Sequence, residues 1–459
     1  MHYWCMITLL IASATAFTDN LNQFLLTFDL PEADLSSVDE KWIEQPLDHF
    51  DSKEKRTLKM RYFENVELWK PKAPIFVFLG GEGKQDPRWI YSAYDFFLTV
   101  KMAKEAHGAL FATEHRYYGK SLPDIPNNNA IEYFKFLSSH QALEDVASFI
   151  KMLKSNSKYK SSKVVVVGGS YSGNLAAWMR ELYPELVDAA ISSSAPVLAK
   201  KDFKEYLDTV RYTFGKYGTD GCLAKMEKNF KDDEDLLKTP EGREELKKKY
   251  HICPENDLTV LENQQFFFQW IRYSGFMVSS QYGLPNDIKA QCEVKTHIPR
   301  KIKPIWRYNC YNVDFKSYDW TRVKLAAWYH QYCTEFGYLM TTSSEKQPFV
   351  HWSPLEFNLK FCKGFIKGDI EKTMDEGIAK TNKRYGGLKP NVTKVVFTHG
   401  DMDPWHTLGV LQDLGPDAPV IMTNGTAHCG VLGYKKGEPE EMKKVRKHVQ
   451  ELILKWISQ

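Results

Sequence analysis

The sequence predicts an α/β fold built on a largely parallel sheet. Short apolar runs at residues 73–79, 109–115 and 163–167 are each followed by a loop signal, which is typical of buried parallel strands. Similar runs at residues 394–400 and 419–425 resume the pattern late in the chain. A helical period lies between two of the early runs, and a glycine-rich turn follows the third. Strands that alternate with helices in this way indicate parallel pairing.

The glycine-rich turn after the third run contains Ser170 in the segment GGSYSG. Gly168, Gly169 and Gly173 supply the small volume that a sharp, strained strand-to-helix turn requires. We expect an amphipathic helix to begin two residues past Ser170, which makes this the context of a nucleophile elbow. Ser172 stands where the G-x-S-x-G pattern has glycine, so the context carries the inference. The alternative is an ordinary Gly-Ser turn, and residues elsewhere must decide.

Two further helices are expected to pack on the sheet. Apolar residues from Leu143 to Leu153 recur at helical spacing, and Ser138 and Gln141 are placed to form a capping box at the start of that helix. The stripe from Met442 to Trp456 predicts a helix that closes the chain and packs on the core. Residues 188–196, after the elbow helix, read as another strand.

A long insertion divides the predicted sheet. From about residue 200 to residue 373 the chain is rich in charge and aromatics, and the charged stretch at 225–250 is typical of solvated helices. We therefore expect a helical, cysteine-rich cap domain at residues 201–373. It would separate a first part of the sheet domain at residues 17–200 from a second part at residues 374–459.

Composition and charge exclude several classes of partner. The chain has 459 residues, of which 43% are hydrophobic and 14% aromatic, so it can bury a large core. Its net charge is +3 and the charges are interspersed, unlike the basic stripe that binds nucleic acid or anionic membranes. Small molecules or peptides fit better as partners. The oligomeric state stays open, a homodimer included.

The N-terminus resembles a cleavable signal peptide at residues 1–16. Its apolar stretch is followed by small residues and is too short to span a bilayer, and no later run is long enough to anchor the chain. We therefore expect a protein of the secretory pathway, either secreted or lysosomal. Asn391 and Asn424 begin glycosylation sequons, which a chain of this length also contains by chance.

The cysteines fit a secretory route. Removal of Cys5 with the signal leaves seven, and six of these lie in the predicted cap: Cys222, Cys253, Cys292, Cys310, Cys333 and Cys362. Disulfides are the default interpretation, and because no pair has C-x-x-C spacing, we expect neither a metal nor another cofactor. Six cysteines allow 15 pairings, among which the sequence does not choose. It also leaves open whether Cys429 is free or paired.

Two late loops supply partners for Ser170. Asp401 and Asp403 follow the strand at 394–400, and His428 follows the strand at 419–425. This order and placement match the nucleophile, acid and base of an α/β-hydrolase, so we predict that fold with the cap inserted between sheet strands. His428 would take the serine proton, while an aspartate fixes its tautomer. Position alone does not separate Asp401 from Asp403.

Other groups near these loops have different expected roles. His399 and His406 flank the acid loop, where they would have to reach their own neighbour, so we assign them structural or substrate-side roles. The oxyanion hole should combine the backbone N–H of Tyr171 with one from the LGGEG loop, near Gly81.

At this point the sequence resembles a family of serine exopeptidases that includes prolyl carboxypeptidase, the lysosomal X-Pro dipeptidyl peptidase and thymus-specific serine protease. The resemblance covers nearly the whole mature chain and is strongest to the thymus-specific branch. The motifs that carry it are QPLDHFD, RYFEN, GGEG, EHRYYGKSLP, QALEDVASFI, GGSYSGNLAAW, WYHQYCTEFG, HGDMDPWH and GTAHC.

The resemblance implies an acyl-enzyme peptidase with a preference for proline before the cut bond. It selects Asp403 over Asp401, and it implies that Trp405 lines the pocket for the residue before that bond. In the thymus-specific branch the position of Ser172 also carries a small residue other than glycine. Glu82 and Glu335 are candidates for binding a substrate terminus, or else buried structural carboxylates.

Two alternatives remain at this stage. A lipase or carboxylesterase shares the fold and triad, although the Asp-Pro-Trp loop and the CTEFG segment argue against it. A catalytically silent peptide-binding homologue would retain the scaffold, although the presence of all three triad residues argues against that. The resemblance does not decide which peptide terminus is trimmed.

Overall fold

The computed structural model describes residues 33–293 and 310–459, so the predicted signal peptide lies outside the described residues. Ten strands occur in these ranges: β1 (Asp39–Pro46), β2 (Thr57–Asn65), β3 (Ile75–Phe78), β4 (Ala109–Thr113), β5 (Val164–Gly169), β6 (Ala189–Ser193), β7 (Lys200–Asp202), β8 (Gly337–Leu339), β9 (Val395–Gly400) and β10 (Val420–Thr423).

Eight of the strands form one sheet in the order β1-β2-β4-β3-β5-β6-β9-β10. The six strands from β4 to β10 pair in parallel, while β1, β2 and β4 pair antiparallel at one edge. This is the strand order of an α/β-hydrolase sheet, so the predicted fold class is confirmed. The antiparallel strands β1 and β2 were not predicted.

Five of the parallel strands, β3, β4, β5, β6 and β9, are buried at every residue, which explains their largely apolar sequences. In β5, Val164 and Val166 join one core cluster, whereas Val165 and Val167 join the other. Successive side chains of a strand point to opposite faces, so the sheet separates the two clusters.

Fourteen α-helices lie in the described ranges: α1 (Leu98–Ala106), α2 (Ala130–Tyr133), α3 (Ser139–Ser155), α4 (Tyr171–Leu182), α5 (Glu205–Tyr217), α6 (Cys222–Leu236), α7 (Pro240–Tyr250), α8 (Leu261–Phe267), α9 (Ser274–Tyr282), α10 (Pro285–Glu293), α11 (Ala326–Gln331), α12 (Leu355–Leu359), α13 (Ile370–Tyr385) and α14 (Glu441–Ser458). None of them combines the length and apolarity needed to span a bilayer.

The predicted capping box at the start of α3 forms only in part. The Ser138 side chain accepts a hydrogen bond from the N–H of Gln141 at 3.2 Å, as expected. The Gln141 side chain is buried against the segment after β1 instead, donating to Asp48 at 2.6 Å and accepting from the N–H of His49 at 3.0 Å. The glutamine therefore ties the helix to the loop after β1 and does not close a capping box.

Helices α5 to α13 lie between β6 and β9 in sequence, as expected for an inserted helical cap. Cys222–Cys292, Cys253–Cys310 and Cys333–Cys362 are disulfides, which resolves the pairing that the sequence left open. Strands β7 and β8 form a small parallel sheet within this region. Two π-helical turns, Phe268–Tyr273 and Tyr332–Phe336, also lie there. The exact limits of the cap stay a prediction.

Candidate active site

Ser170 lies in the turn between β5 and α4 with backbone angles that only a strained turn imposes. Its φ is 57° and its ψ is −133°, a region that residues other than glycine rarely occupy. The N–H of Ser170 donates to the Ser193 carbonyl at 2.9 Å, which holds the turn against β6. A Cβ atom at Gly168 would lie 1.9 Å from the Ser172 carbonyl oxygen, so glycine is required there. The helix begins at Tyr171, one residue earlier than predicted.

The hydroxyl of Ser172 explains why serine replaces the glycine of the simple pattern. It accepts a hydrogen bond from the N–H of Gly169 at 3.0 Å and donates one to the carbonyl of the same residue at 2.8 Å. Ser172 is fully buried, so these two bonds satisfy backbone groups that water does not reach. The Ser172 side chain therefore stabilises the turn that contains Ser170.

Asp403 and His428 meet above the carboxyl end of the sheet. Asp403 follows β9 and His428 follows β10, and Asp403 Oδ1 lies 2.9 Å from His428 Nδ1. Both side chains are almost fully buried. The N–H of Trp405 donates to Asp403 Oδ1 at 3.0 Å, and the N–H of His428 donates to the Gln281 carbonyl at 2.8 Å. The acid and the imidazole are therefore each fixed by backbone contacts.

The strand β6 connects the Ser170 turn to the His428 loop. The Ser193 carbonyl that accepts the N–H of Ser170 lies 3.9 Å from Cys429 Sγ, and the N–H of Cys429 donates to Ser194 Oγ at 2.8 Å. There is no hydrogen bond between Ser170 Oγ and His428 Nε2, a contact that commonly tightens only when substrate binds. Among the described residues, His428 Nε2 has no hydrogen-bond partner.

The surroundings of His428 favour its charged form. Burial works against charge on the imidazole, but the Asp403 carboxylate and the neighbouring Cys429 outweigh it and raise the pKa of His428 well above its usual value. Cys429 is buried and is the one free cysteine in the described ranges, which answers the question that the sequence left open.

Asp401 has other partners. Its carboxylate accepts from Tyr217 at 2.6 Å, from Lys216 and Tyr212 at 2.9 Å, and from the N–H of Gly425 at 2.7 Å. Partial burial would raise its pKa, but these donors lower it below the ordinary value. Asp401 therefore joins α5 to the loop after β10, and the acid that contacts His428 is Asp403.

His399 and His406, the two histidines that flank the acid loop, also have structural partners. His399 Nε2 lies 2.9 Å from the Val410 carbonyl, and burial lowers the pKa of His399 to about 4. His406 Nδ1 lies 2.6 Å from the Asp403 carbonyl, within its own turn. Both fit the structural interpretation made from the sequence.

The residues that carry the predicted oxyanion donors follow two neighbouring strands at the same edge of the sheet. β3 and β5 pair in parallel with Phe78 opposite Val167, so Gly81 and Ser170 each lie three residues beyond that pair. Tyr171 is the first residue of α4, where an N–H has no acceptor within the helix. Gly81 is buried in the loop after β3. The two N–H groups stay predicted donors.

Trp405 packs between the cap and the triad. Its ring centroid lies 5.3 Å from Phe203, 5.4 Å from Tyr338 and 6.4 Å from His428. The side chain is 2% exposed, so at most one edge of the ring faces open space. Its position beside His428 is compatible with the predicted role of Trp405, which is to line the pocket for the residue before the cut bond.

Of the two glutamates considered for a substrate terminus, Glu335 has a structural partner. Its oxygens accept from the Ser139 N–H at 3.0 and 3.1 Å and from Ser139 Oγ at 2.8 Å. It therefore binds the first residue of α3, where an acidic group suits the helix dipole. Glu82 is buried in the loop after β3.

Sequence reasoning missed three neighbours of the histidine. Gln281 and Tyr282 come from α9 in the cap: the Gln281 carbonyl accepts from His428, and the Tyr282 ring lies 5.9 Å from the imidazole. They are nearly 150 positions from His428 in sequence, and no local pattern marks them. Cys429 had a usable signal, because it is an odd cysteine directly after the predicted base.

Comparison with known proteins identifies the family. The model of the family described as Serine carboxypeptidase S28 matches residues 45–449. The chain belongs to this family. It is therefore a hydrolase of the serine peptidase class, and the resemblance inferred from its motifs is confirmed.

Two relatives found by sequence comparison agree with this membership. The chain is 29% identical over 459 residues to the thymus-specific serine protease of Mus musculus, with 91% of this chain and 87% of the relative covered. It is 26% identical over 452 residues to the lysosomal Pro-X carboxypeptidase of Bos taurus, covering 91% and 88% of the two chains. Among solved structures, a proline iminopeptidase from Mycobacterium smegmatis covers 91% of this chain and is itself 99% covered, with 11% identity and a TM-score of 0.37.

Proposed function

We propose that the chain is a serine exopeptidase that cuts peptide bonds near one end of a peptide, with a preference for proline before the cut bond. Ser170 is the nucleophile, His428 the general base and Asp403 the group that orients the imidazole. The observation that carries the proposal is the contact of 2.9 Å between Asp403 and His428, made by two loops beside the strained turn of Ser170.

The chemistry follows from these roles. Ser170 Oγ attacks the carbonyl carbon of the scissile bond, and its proton passes to His428 Nε2. The carbon–nitrogen bond then breaks, and the amine leaves with that proton, so the acyl group remains as an ester on Ser170. Water, deprotonated by His428, hydrolyses the ester and restores the serine hydroxyl.

The backbone N–H groups of Tyr171 and Gly81 would stabilise the negative oxygen of each tetrahedral intermediate. One such donor lowers the activation barrier by about 2.7–4 kcal/mol, an effect comparable to that of many side chains. The position of Tyr171 at the start of α4 supports this role, because the positive end of the helix dipole points at the same place.

The preference for proline rests on the family and on Trp405. A flat aromatic wall suits a proline ring, and Trp405 lies within 6.4 Å of the His428 ring centroid. The bovine relative is a Pro-X carboxypeptidase by name, which supports the same preference.

Three peptides of one proline-containing sequence test the proposal. The first has its amino end blocked, the second has its carboxyl end blocked, and the third has both ends free. Loss of cleavage on blocking one end identifies the terminus that the enzyme requires. Equal cleavage of all three peptides would refute exopeptidase action. Faster turnover of acyl esters than of any peptide would favour a carboxylesterase, and a folded protein that fluorophosphonate does not label would favour a silent homologue.

We also propose a secretory location, either extracellular or lysosomal. Three disulfides support it, because such bonds persist in oxidising compartments. The sequon residues Asn391 and Asn424 are both exposed, as carriers of a glycan must be. Mass spectrometry of the protein from its natural source, before and after glycosidase treatment, checks both sites and the mature N-terminus.

A further inference from the structure

A buried chain of hydrogen bonds connects the cap to Tyr171, the residue after the nucleophile. Gln331, at the end of α11, donates from Nε2 to the Tyr171 hydroxyl at 3.0 Å and accepts from the Tyr118 hydroxyl at 2.6 Å. His115 Nε2 lies 3.0 Å from the same Tyr171 hydroxyl. All four residues are at most 8% exposed. His115 and Tyr118 lie in the motif EHRYYGKSLP and Gln331 lies in WYHQYCTEFG, and the proposed chemistry gives these three residues no role.

The hydrogen bonds of this chain have one consistent direction. His115 Nδ1 lies 2.7 Å from the Arg116 carbonyl, which can only accept, so Nδ1 carries a hydrogen. Burial lowers the pKa of His115 to about 4, so the ring is neutral at neutral pH and its Nε2 is an acceptor. The Tyr171 hydroxyl therefore donates to His115 and accepts from the Gln331 amide, whose oxygen accepts from Tyr118. Donors and acceptors match at every step of the chain.

Aromatic side chains enclose the ring of Tyr171. Its centroid lies 5.3 Å from that of Trp328 and 5.4 Å from those of Phe336 and His115. Trp328 and Phe336 lie within five residues of Gln331 in the same segment of the cap. Because close packing holds the ring and hydrogen bonds hold its hydroxyl, the Tyr171 side chain has a fixed position relative to this segment.

The position of Tyr171 matters because its backbone N–H is a predicted oxyanion donor. Such a donor must point at the place where the negative oxygen forms, and a functional group is effective only within about 0.5 Å of its productive position. Tyr171 is the first residue of α4, so its N–H has no acceptor within the helix to orient it. The contacts of its side chain therefore help to set the direction of this N–H.

We propose that Gln331 is a positioning residue, which holds the Tyr171 side chain and thereby aims the Tyr171 N–H at the oxygen that becomes negative. The inference rests on the proposed function and on the predicted oxyanion role of this N–H. His115 and Tyr118 hold the two ends of the chain. A residue of the cap thus contributes to stabilisation of the transition state without touching the substrate. Its loss lowers kcat and leaves KM unchanged, because the donor acts on the tetrahedral intermediate and not on the bound peptide.

Gln331→Met tests the proposal with a small change of shape, because methionine cannot donate to the Tyr171 hydroxyl. On a proline-containing peptide, kcat should fall at least about tenfold, and by no more than the roughly 10²–10³ that loss of an oxyanion donor costs. KM should change by less than about twofold. Gln347→Met is the matched control, because Gln347 is also a buried glutamine of the cap that makes two hydrogen bonds, both to the backbone of Phe349. Its kcat should stay within about twofold of the wild-type value.

Tyr171→Phe tests whether Gln331 acts through the tyrosine hydroxyl. The change keeps the ring and removes the hydroxyl, so kcat should fall by a factor similar to that of Gln331→Met. Addition of Gln331→Met to Tyr171→Phe should then lower kcat by less than about twofold more. If Gln331→Met does not fold, Tyr171→Phe alone still tests the chain, and a kcat equal to that of wild type would refute it. Titration with fluorophosphonate counts the folded active sites in each preparation.

A peptide boronic acid gives a second measurement, because it forms a tetrahedral adduct with the serine. The boronic acid replaces the carboxyl group of the proline. Its affinity should fall across the variants in proportion to kcat/KM, as expected for a transition-state analogue. An affinity that is the same for wild type and Gln331→Met would refute the positioning role.

The outcomes separate this inference from the proposed function. If the wild type cuts the peptide and Gln331→Met has the same kcat as Gln347→Met, the positioning role is refuted and the proposed function stands. A rise in KM at unchanged kcat, or effects of Gln331→Met and Tyr171→Phe that multiply in the double variant, also refutes the positioning role. If the wild type cuts no proline-containing peptide, the proposed function fails and the positioning role fails with it.

Discussion

Replacement of Ser172 by alanine should weaken both the fold and the catalytic turn. The change removes a hydroxyl that accepts the N–H of Gly169 at 3.0 Å and donates to its carbonyl at 2.8 Å. A typical hydrogen bond contributes about 1 kcal/mol to stability, and a buried backbone group left without a partner costs about 1–3 kcal/mol. We therefore expect the free energy of unfolding to fall by about 2–4 kcal/mol in Ser172→Ala.

The same change should also lower kcat per folded molecule, because the turn that orients Ser170 loses its fastening. Urea unfolding measures the stability, and fluorophosphonate titration counts the active sites to which kcat is normalised. Ser155→Ala is the control, since that exposed hydroxyl bonds only the Met152 carbonyl and its loss should change stability by less than about 0.5 kcal/mol. An unfolding midpoint and a kcat for Ser172→Ala equal to those of Ser155→Ala would show that the hydroxyl does not hold the turn.

Two further changes test the histidine and its acid. Asp403→Asn should lower kcat by about 10⁴, because the amide favours the wrong tautomer of His428, and near-normal turnover would mean that the acid is misassigned. Cys429→Ala removes a group that raises the pKa of His428, and a general base acts only when neutral. The acid limb of the pH profile of kcat/KM should therefore move to lower pH, and a shift to higher pH would contradict the stated electrostatics.

The parts of the fold that the sequence predicted are those with a single dominant signal. The strand Val164–Gly169 is buried on both faces, so its apolar run is unbroken and easy to read. The antiparallel strands Asp39–Pro46 and Thr57–Asn65 were missed because charged side chains lie along them. One of these, Arg61, is buried beside Glu114, so a tertiary ion pair permits a strand that local pattern argues against.

The candidate site also has a part that the sequence predicted and a part that it did not. Ser170, Asp403 and His428 follow strands directly, and parallel strands bring their carboxyl ends to one edge, so loop order was enough to group them. The contacts from Gln281 and Tyr282 depend on how α9 of the cap packs over that edge. Packing between segments that are distant in sequence leaves no periodic residue pattern in either segment. The same reason explains why the disulfide pairing could not be chosen from the sequence.

Covalent labelling tests the central claim most directly. Fluorophosphonate should modify the folded wild-type protein at Ser170, as identified by mass spectrometry of its peptides, and should fail to label Ser170→Ala. A label on a different residue, or labelling of Ser170→Ala to the same extent as wild type, would contradict the assignment of Ser170 as the nucleophile.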